Sequence, residues 1–149
     1  MGINGAPILL TKLLGQRFSY PIDCKRLFLD GRPILGASKT FRGLISALLV
    51  SVLIGCIFAI PFHISLLFGA LSMAGDMTSS FIKRRFGLVS SSMALGLDQI
   101  PESLFPLLGC KDFLGISVAQ IAVVVVAFLL IDLILSRLLF WLHIRKTPY

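Results

Sequence analysis

From Gly43 to Ile60 the chain runs for 18 residues without one charged side chain. At a helical rise of about 1.5 Å per residue, roughly 20 such residues cross the hydrocarbon core of a bilayer. The stretch Ile64–Ile82 carries a single charge, Asp76, and ends in Lys83-Arg84-Arg85. Phe113–Leu135 is the most strongly apolar, with Val123–Val126 at its centre. Met93–Cys110 is apolar overall but is interrupted by Asp98, Gln99, Pro101, Glu102 and Pro106. The expected fold class is therefore all-α, a polytopic membrane protein with about four transmembrane helices. The spans are expected near residues 43–61, 64–82, 93–110 and 113–135. Residues 1–42 are expected to be a cytoplasmic or interfacial segment, and residues 1–149 a single integral-membrane domain. Composition agrees: 56% of the residues are hydrophobic and only 14% charged, with mean hydropathy +0.94. A soluble domain of this length cannot bury that much apolar surface, and a disordered chain is polar and highly charged.

The charge balance fits the same reading. Fourteen basic residues stand against seven acidic ones. In a soluble protein that excess would point to nucleic acid; in a membrane protein basic residues collect on the cytoplasmic side. With four crossings and both termini inside, Lys12, Arg17, Lys25, Arg26, Arg32, Lys39, Arg42, Lys83, Arg84, Arg85, Arg137, Arg145 and Lys146 are cytoplasmic, and Lys111 alone is outside. No nucleic-acid partner is needed. Cys24, Cys56 and Cys110 are too widely spaced for a disulfide framework or a zinc motif. Ala6–Leu10 is too short for the apolar core of a signal peptide.

Carboxylates at membrane depth cost about 2.5–3.5 kcal/mol on insertion scales and usually face a bundle interior or a watery cavity. Asp76, Asp98 and Glu102 need that explanation, whereas Asp132, near the end of its span, reads as a structural partner for Arg137. On a helix Asp76, Ser79, Ser80 and Lys83 share one face, with Arg84 at its edge. Asp98 and Glu102 are four residues apart, with Gln99 between them, and Pro101 suits the first turn of a helix that begins near Asp98. Asp76 and Asp98, with Glu102 as a further candidate, make a plausible Mg²⁺ site, since Mg²⁺ is usually held by one or two carboxylates plus phosphate and water. A purely structural Asp–Lys pair, or helix capping by Asp98, would explain the same residues. The segment Gly36–Gly43 supplies Lys39, Thr40 and Arg42 at the entrance of the first span. It is no P-loop, because Ser38 stands where that motif requires Gly. Helix-terminal amides, a hydroxyl and two cations nevertheless suit a phosphate. His63 and His143 lack partners at ligand spacing, and no Ser-His-Asp hydrolase is supported.

Taken in order, Asp30-Gly31-Arg32…Leu35-Gly36…Lys39-Thr40-Phe41-Arg42-Gly43, Gly75-Asp76…Ser80…Lys83-Arg84 and Asp98-Gln99 resemble the CDP-archaeol synthase family, which is related to the integral-membrane phosphatidate cytidylyltransferases. The resemblance runs from about Asn4 to the last span. Family members usually have five spans; this sequence starts just past the position of the first, so four are expected. Related phosphatidate enzymes carry an acid–Arg pair and a further acid where this chain has Asp98-Gln99 and Glu102.

The resemblance implies transfer of CMP from CTP to a dialkyl- or diacylglycerol phosphate in the bilayer, giving CDP-lipid and pyrophosphate. It implies a Mg²⁺-dependent nucleotidyltransferase with one or two metal ions and a polar cavity facing the cytoplasm from a multi-pass inner-membrane protein. Asp76, Asp98 and Lys83 are the expected catalytic residues. Asp76 and Asp98 are also the expected metal ligands, with Glu102 in third place. Lys39, Thr40, Arg42, Ser79, Ser80, Arg84 and Gln99 are expected to bind nucleotide or phosphate. A homodimer packed through small residues such as Gly69 and Ala70 is a further expectation. The competing reading is a small non-enzymatic membrane protein or transporter subunit with Asp76 and Asp98 along a cation path. A CDP-alcohol phosphotransferase is disfavoured because its Asp-Gly…Ala-Arg…Gly…Asp…Asp pattern is absent.

Overall fold

The computed structural model describes residues 19–90, 92, 94 and 96–141, with residues 139 and 140 as backbone only. Lys12, Arg17, His143, Arg145, Lys146 and the Asn4–Pro7 stretch lie outside the described residues. Within them the chain is helical: α1 Phe41–Ile57, α2 Phe62–Arg85, α3 Gln99–Gly109, α4 Lys111–Leu114 and α5 Val118–Trp141. No strand is present among the described residues; residues 20–40 form an irregular hairpin with isolated antiparallel bridges Pro21–Thr40 and Leu27–Pro33.

The helix ends follow local chemistry. Thr40 is the N-cap of α1, its side-chain oxygen accepting the Gly43 amide at 3.1 Å. Ser117 and Gln120 form a reciprocal capping box at the start of α5: the Gln120 amide donates to Ser117 Oγ, and the Ser117 amide to Gln120 Oε1. Gly115, at φ +62°, breaks the chain between α4 and α5. The last apolar stretch, expected over 113–135, is thus helical over Val118–Trp141, with Lys111–Leu114 forming a turn of its own. The third stretch is helical only over Gln99–Gly109. At 11 residues it is about 16 Å long, against about 36 Å for the 24 residues of α2. Residues 96–98 before it form a turn, with Gly96 in the left-handed region.

The helices pack in the order α1–α2–α3–α5. Small residues set the close approaches. Ser51 Oγ of α1 donates to the Ser65 carbonyl of α2 at 2.7 Å. A Cβ on Gly69 would meet the Ser51 side chain at 2.7 Å. Gly69, expected to serve contact between copies, is therefore occupied within the chain, while Ala70 is exposed. At the α2–α3 crossing, a Cβ on Gly75 would lie 2.1 Å from the Pro101 carbonyl oxygen. Backbone rests on backbone there, one residue before Asp76.

The apolar core is small: Leu107, Ile121 and Val125, flanked by Phe68, Leu104 and Ile116. Most large apolar side chains face outward, among them Ile45, Leu49, Leu53, Val123, Val126, Ile131 and Ile134. Val118–Leu138 is long and apolar enough to cross a membrane, and little of it is buried by protein; α1 is a shorter apolar helix. This distribution is that of a protein whose outer solvent is lipid.

The Gly75 contact admits a direct comparison. Gly75→Ala should destabilise the protein by about 1–3 kcal/mol, because backbone must move. Gly109→Ala, whose Cβ would meet only the tip of the Leu71 side chain, should cost less. Thermal unfolding of the two variants in the same detergent checks the ranking; equal midpoints would contradict it.

Candidate active site

Three ties bring polar side chains to one end of the helices. Lys39, one residue before the Thr40 cap, reaches α2 and pairs with Asp76, Nζ to Oδ2 at 2.5 Å. Lys83, two turns further along the same face of α2, pairs with Asp98, Nζ to Oδ1 at 2.7 Å, and donates to the Ser92 carbonyl at 2.9 Å. Gln99 Nε2 donates to Asp132 Oδ2 on α5 at 2.7 Å, while its Oε1 accepts the Gly96 amide. The structure thus gives Asp76 a lysine from another segment rather than Lys83 of its own helix, and gives Asp132 the partner Gln99.

Asp98 stands at the N-cap position of α3 in helical conformation and makes no side-chain cap bond. The capping explanation therefore does not hold for it. Its Oδ2 accepts the Ala94 amide at 3.0 Å. Its buried Oδ1 makes no hydrogen bond of good geometry among the described residues, so the Lys83 contact is ionic.

The other expected site residues divide by position. Ser79, Ser80, Lys83, Arg84 and Gln99 are buried, and Arg42 is half-buried in the first turn of α1. Ser79 Oγ donates to the Asp76 carbonyl on its own helix, and Thr40 is engaged as a cap. Arg84 Nη2 donates to the Val89 carbonyl at 3.0 Å, but its buried Nε makes no hydrogen bond among the described residues. Glu102 is half-buried on α3, its backbone amide close to Gly75 and so beside Asp76. Lys39, Arg42, Lys83 and Arg84 share this region with Asp76, Asp98, Glu102 and Asp132, so charges of both signs are concentrated there, with cations available to an anion and carboxylates to a cation.

Two braces were not apparent as such in the sequence. Arg85 donates to Asp30 Oδ1 and to the Pro33 carbonyl, each at 2.5 Å, and its guanidinium lies over the rings of Phe28 and Phe81, 4.6 and 4.9 Å from their centroids. Arg32 in turn donates to the Arg85 carbonyl at the C-terminus of α2. The 27–33 hairpin is thereby fastened to the helix that carries Asp76 and Lys83. The second brace is Asp23. Its Oδ2 accepts the amides of Leu35 and Gly36, at 3.0 and 2.8 Å, and its Oδ1 accepts the Lys25 amide at 3.0 Å. The Pro-x-Asp turn signal was available in the sequence; the donors 12 and 13 residues away were not.

These features coincide with known relationships. A family model for CarS-like CDP-archaeol synthase matches residues 11–65 and 58–149. This chain belongs to the CDP-archaeol synthase family. The CDP-archaeol synthase of Sulfurisphaera tokodaii is 36% identical over 137 residues, covering 87% of this chain and 81% of the relative. That of Pyrobaculum islandicum is 31% identical, covering 98% of this chain and 90% of the relative. A solved intramembrane enzyme for archaeal membrane lipid biosynthesis superposes with a TM-score of 0.71 at 26% identity, over 91% of this chain and 87% of that one. CDP-archaeol synthase membership carries the enzyme class, a CTP-dependent cytidylyltransferase seated in the membrane.

The charge on Asp23 has a consequence for pH. Burial pushes its carboxyl up, but the Gly36, Leu35 and Lys25 amides outweigh burial and hold it below the usual carboxylate range. A depressed carboxylate contributes stability above its unfolded pKa of about 3.9 and loses that contribution as pH falls through the folded value. The stability difference between wild type and Asp23→Ala should therefore be complete at neutral pH and shrink below about pH 4. Melting temperatures across that range test it; a gap that does not change with pH would exclude the charge as its source.

Proposed function

We propose that this protein transfers CMP from CTP to the phosphate of a dialkylglycerol lipid, giving a CDP-lipid of the kind its relatives are named for, and pyrophosphate. The observation that carries this reading is the meeting of two lysine–carboxylate pairs, Lys39–Asp76 and Lys83–Asp98, beside Arg84, whose buried Nε has no acceptor among the described residues. A buried guanidinium N–H without a partner is costly, and an anion would satisfy it. Asp76 lies about 14 Å along α2 from Arg85, so the anion would be met within the membrane profile. A lipid head group can enter that depth while its chains remain in the bilayer.

In the proposed reaction an oxygen of the lipid phosphomonoester attacks the α-phosphorus of CTP. The bond from that phosphorus to the β-bridging oxygen breaks, and pyrophosphate leaves with the electron pair. The phosphomonoester is already ionised near neutral pH, so no general base is required. The obstacle is repulsion between two anions. Lys39 and Arg42 would hold one phosphate at the start of α1, while Lys83 and Arg84 would hold the triphosphate and the departing pyrophosphate. Ser79 and Ser80 keep the intervening turn of α2 polar. Gln99 fixes the 96–99 turn against α5 and so places Asp98.

The donor set suits Mg²⁺. Asp76 and Asp98 offer hard carboxylate oxygens that already attract ammonium groups, and Asp98 Oδ1 has no directional bond among the described residues. No group of three metal-binding side chains occurs among the described residues, so Asp76 and Asp98 would hold the ion with phosphate oxygens and water completing its shell. When bound, Mg²⁺ supplies charge neutralisation at the transferring phosphate.

The proposed topology has four crossings with the site facing the cytoplasm of the cell membrane. The start of α1, the end of α2, the start of α3 and the C-terminal half of α5 share one end, as the three ties require. That end carries Lys39, Arg42, Lys83, Arg84 and Arg85, whereas Lys111 lies at the other. The short α3 would cross with the help of α4 and local thinning of the bilayer.

Incubation of nanodisc-embedded protein with CTP labelled at the α-phosphate, Mg²⁺ and either dialkyl- or diacylglycerol phosphate should yield labelled CDP-lipid. Absence of product with every lipid would refute the reading. Asp76→Asn should lower turnover by about 10²–10³-fold, as for loss of one group stabilising developing charge; unchanged turnover would remove Asp76 from the site. In a cysteine-free background, Lys111→Cys should react with an impermeant maleimide from outside intact cells. Reaction only after the inner face is opened would overturn the four-crossing arrangement.

A further inference from the structure

Lys39 has a long, flexible side chain, yet it is aimed at one carboxylate on another helix. What fixes its root is a set of backbone hydrogen bonds that lead back to Asp23. The Leu35 and Gly36 amides converge on a single oxygen of the Asp23 carboxylate. Gly36 has φ +90°, and a Cβ there would lie 3.2 Å from Ser90 Oγ. The Gly36 carbonyl then accepts the Lys39 amide at 3.3 Å, closing the turn. From the other side, the Lys39 carbonyl accepts the Ile22 amide at 2.8 Å, one residue before Asp23. Both polar groups of the Lys39 backbone are thus bonded to residues that Asp23 adjoins or holds.

Asp23 is buried at 8% exposure, and among the described residues its hydrogen-bond donors are the main-chain amides of Lys25, Leu35 and Gly36. It touches no group of the proposed reaction. A carboxylate is needed there because both of its oxygens accept. In Asn, one end would set an NH₂ group against a backbone N–H.

We propose that Asp23 is a positioning residue for catalysis, fixing the backbone of Lys39 so that its ammonium group meets the phosphate it binds. This rests on the reading of Lys39 as a phosphate ligand. A lysine on a loose root would sample many positions while the substrate waits; one on a fixed root moves only its stem when it leaves Asp76 for the anion. Small errors of placement are costly in such chemistry.

A double-mutant cycle on the full-length protein in nanodiscs tests this, with kcat and KM measured separately for CTP and for the lipid phosphate. Lys39→Met should raise KM for whichever substrate has its phosphate on Lys39. Asp23→Asn should raise that same KM by about tenfold, leave the other within about twofold, and add less than about twofold in the Lys39→Met background. Fully multiplicative effects, or an equal rise in both KM values, would make Asp23 a scaffold residue only and overturn the proposal while leaving Lys39 as a ligand. Lys39→Met with wild-type kinetics would overturn the ligand reading and the proposal together. Should Asp23→Asn not be recovered folded, Gly36→Ala disturbs the same turn from its far side, and the same cycle with Lys39→Met is read by the same outcomes.

Discussion

The cost of holding charge away from water governs this structure. Asp76, Lys83, Arg84 and Asp98 lie where a lone ion would be severely penalised, and breaking a buried pair is far more damaging than never having built it. Each acid therefore has a lysine on it, and each pairing joins segments distant in sequence. Lys39 brings the hairpin to α2, and Lys83 brings the loop before α3 to the same helix. Gln99 extends the set to α5 through Asp132. The chain has a small apolar core, so these polar ties do much of the work of selecting one arrangement of helices that lipid alone would not distinguish. The groups that enforce the fold are also those proposed to handle the phosphates.

Close approach of backbones makes the ties possible. Gly75 lets the first turn of α3 rest on α2 beside Asp76, and the Ser51, Gly55, Ser65 and Gly69 seam does the same for α1 and α2. Such seams stand in for hydrophobic burial, which loses its force between helices surrounded by lipid. They also fix lateral distances tightly enough that a lysine from a loop meets a carboxylate two elements away.

Much of this was legible in sequence because the membrane imposes strong patterns. The uncharged run 43–60 and the valine-rich centre of α5 marked helices, and the spacing Asp76–Ser79–Ser80–Lys83 marked a buried polar face. Helix ends were less legible. The boundary at Val118 depends on a capping box and on Gly115 adopting positive φ, features that hydropathy does not register. Pairing was least legible. The sequence offers Asp76 a lysine on its own helical face and Asp132 an arginine five residues on, yet the folded chain gives them Lys39 and Gln99. Local spacing offers candidates, whereas backbone packing at Gly75 and the left-handed turn at Gly96 place the segments that bring partners within reach. Asp23 shows the same limit: its donors are main-chain amides, which leave no mark on composition.

The three membrane ties share a direction along the chain. Lys39 precedes Asp76, Lys83 precedes Asp98, and Gln99 precedes Asp132. A chain made from its amino end therefore completes the donor before the acid that needs it.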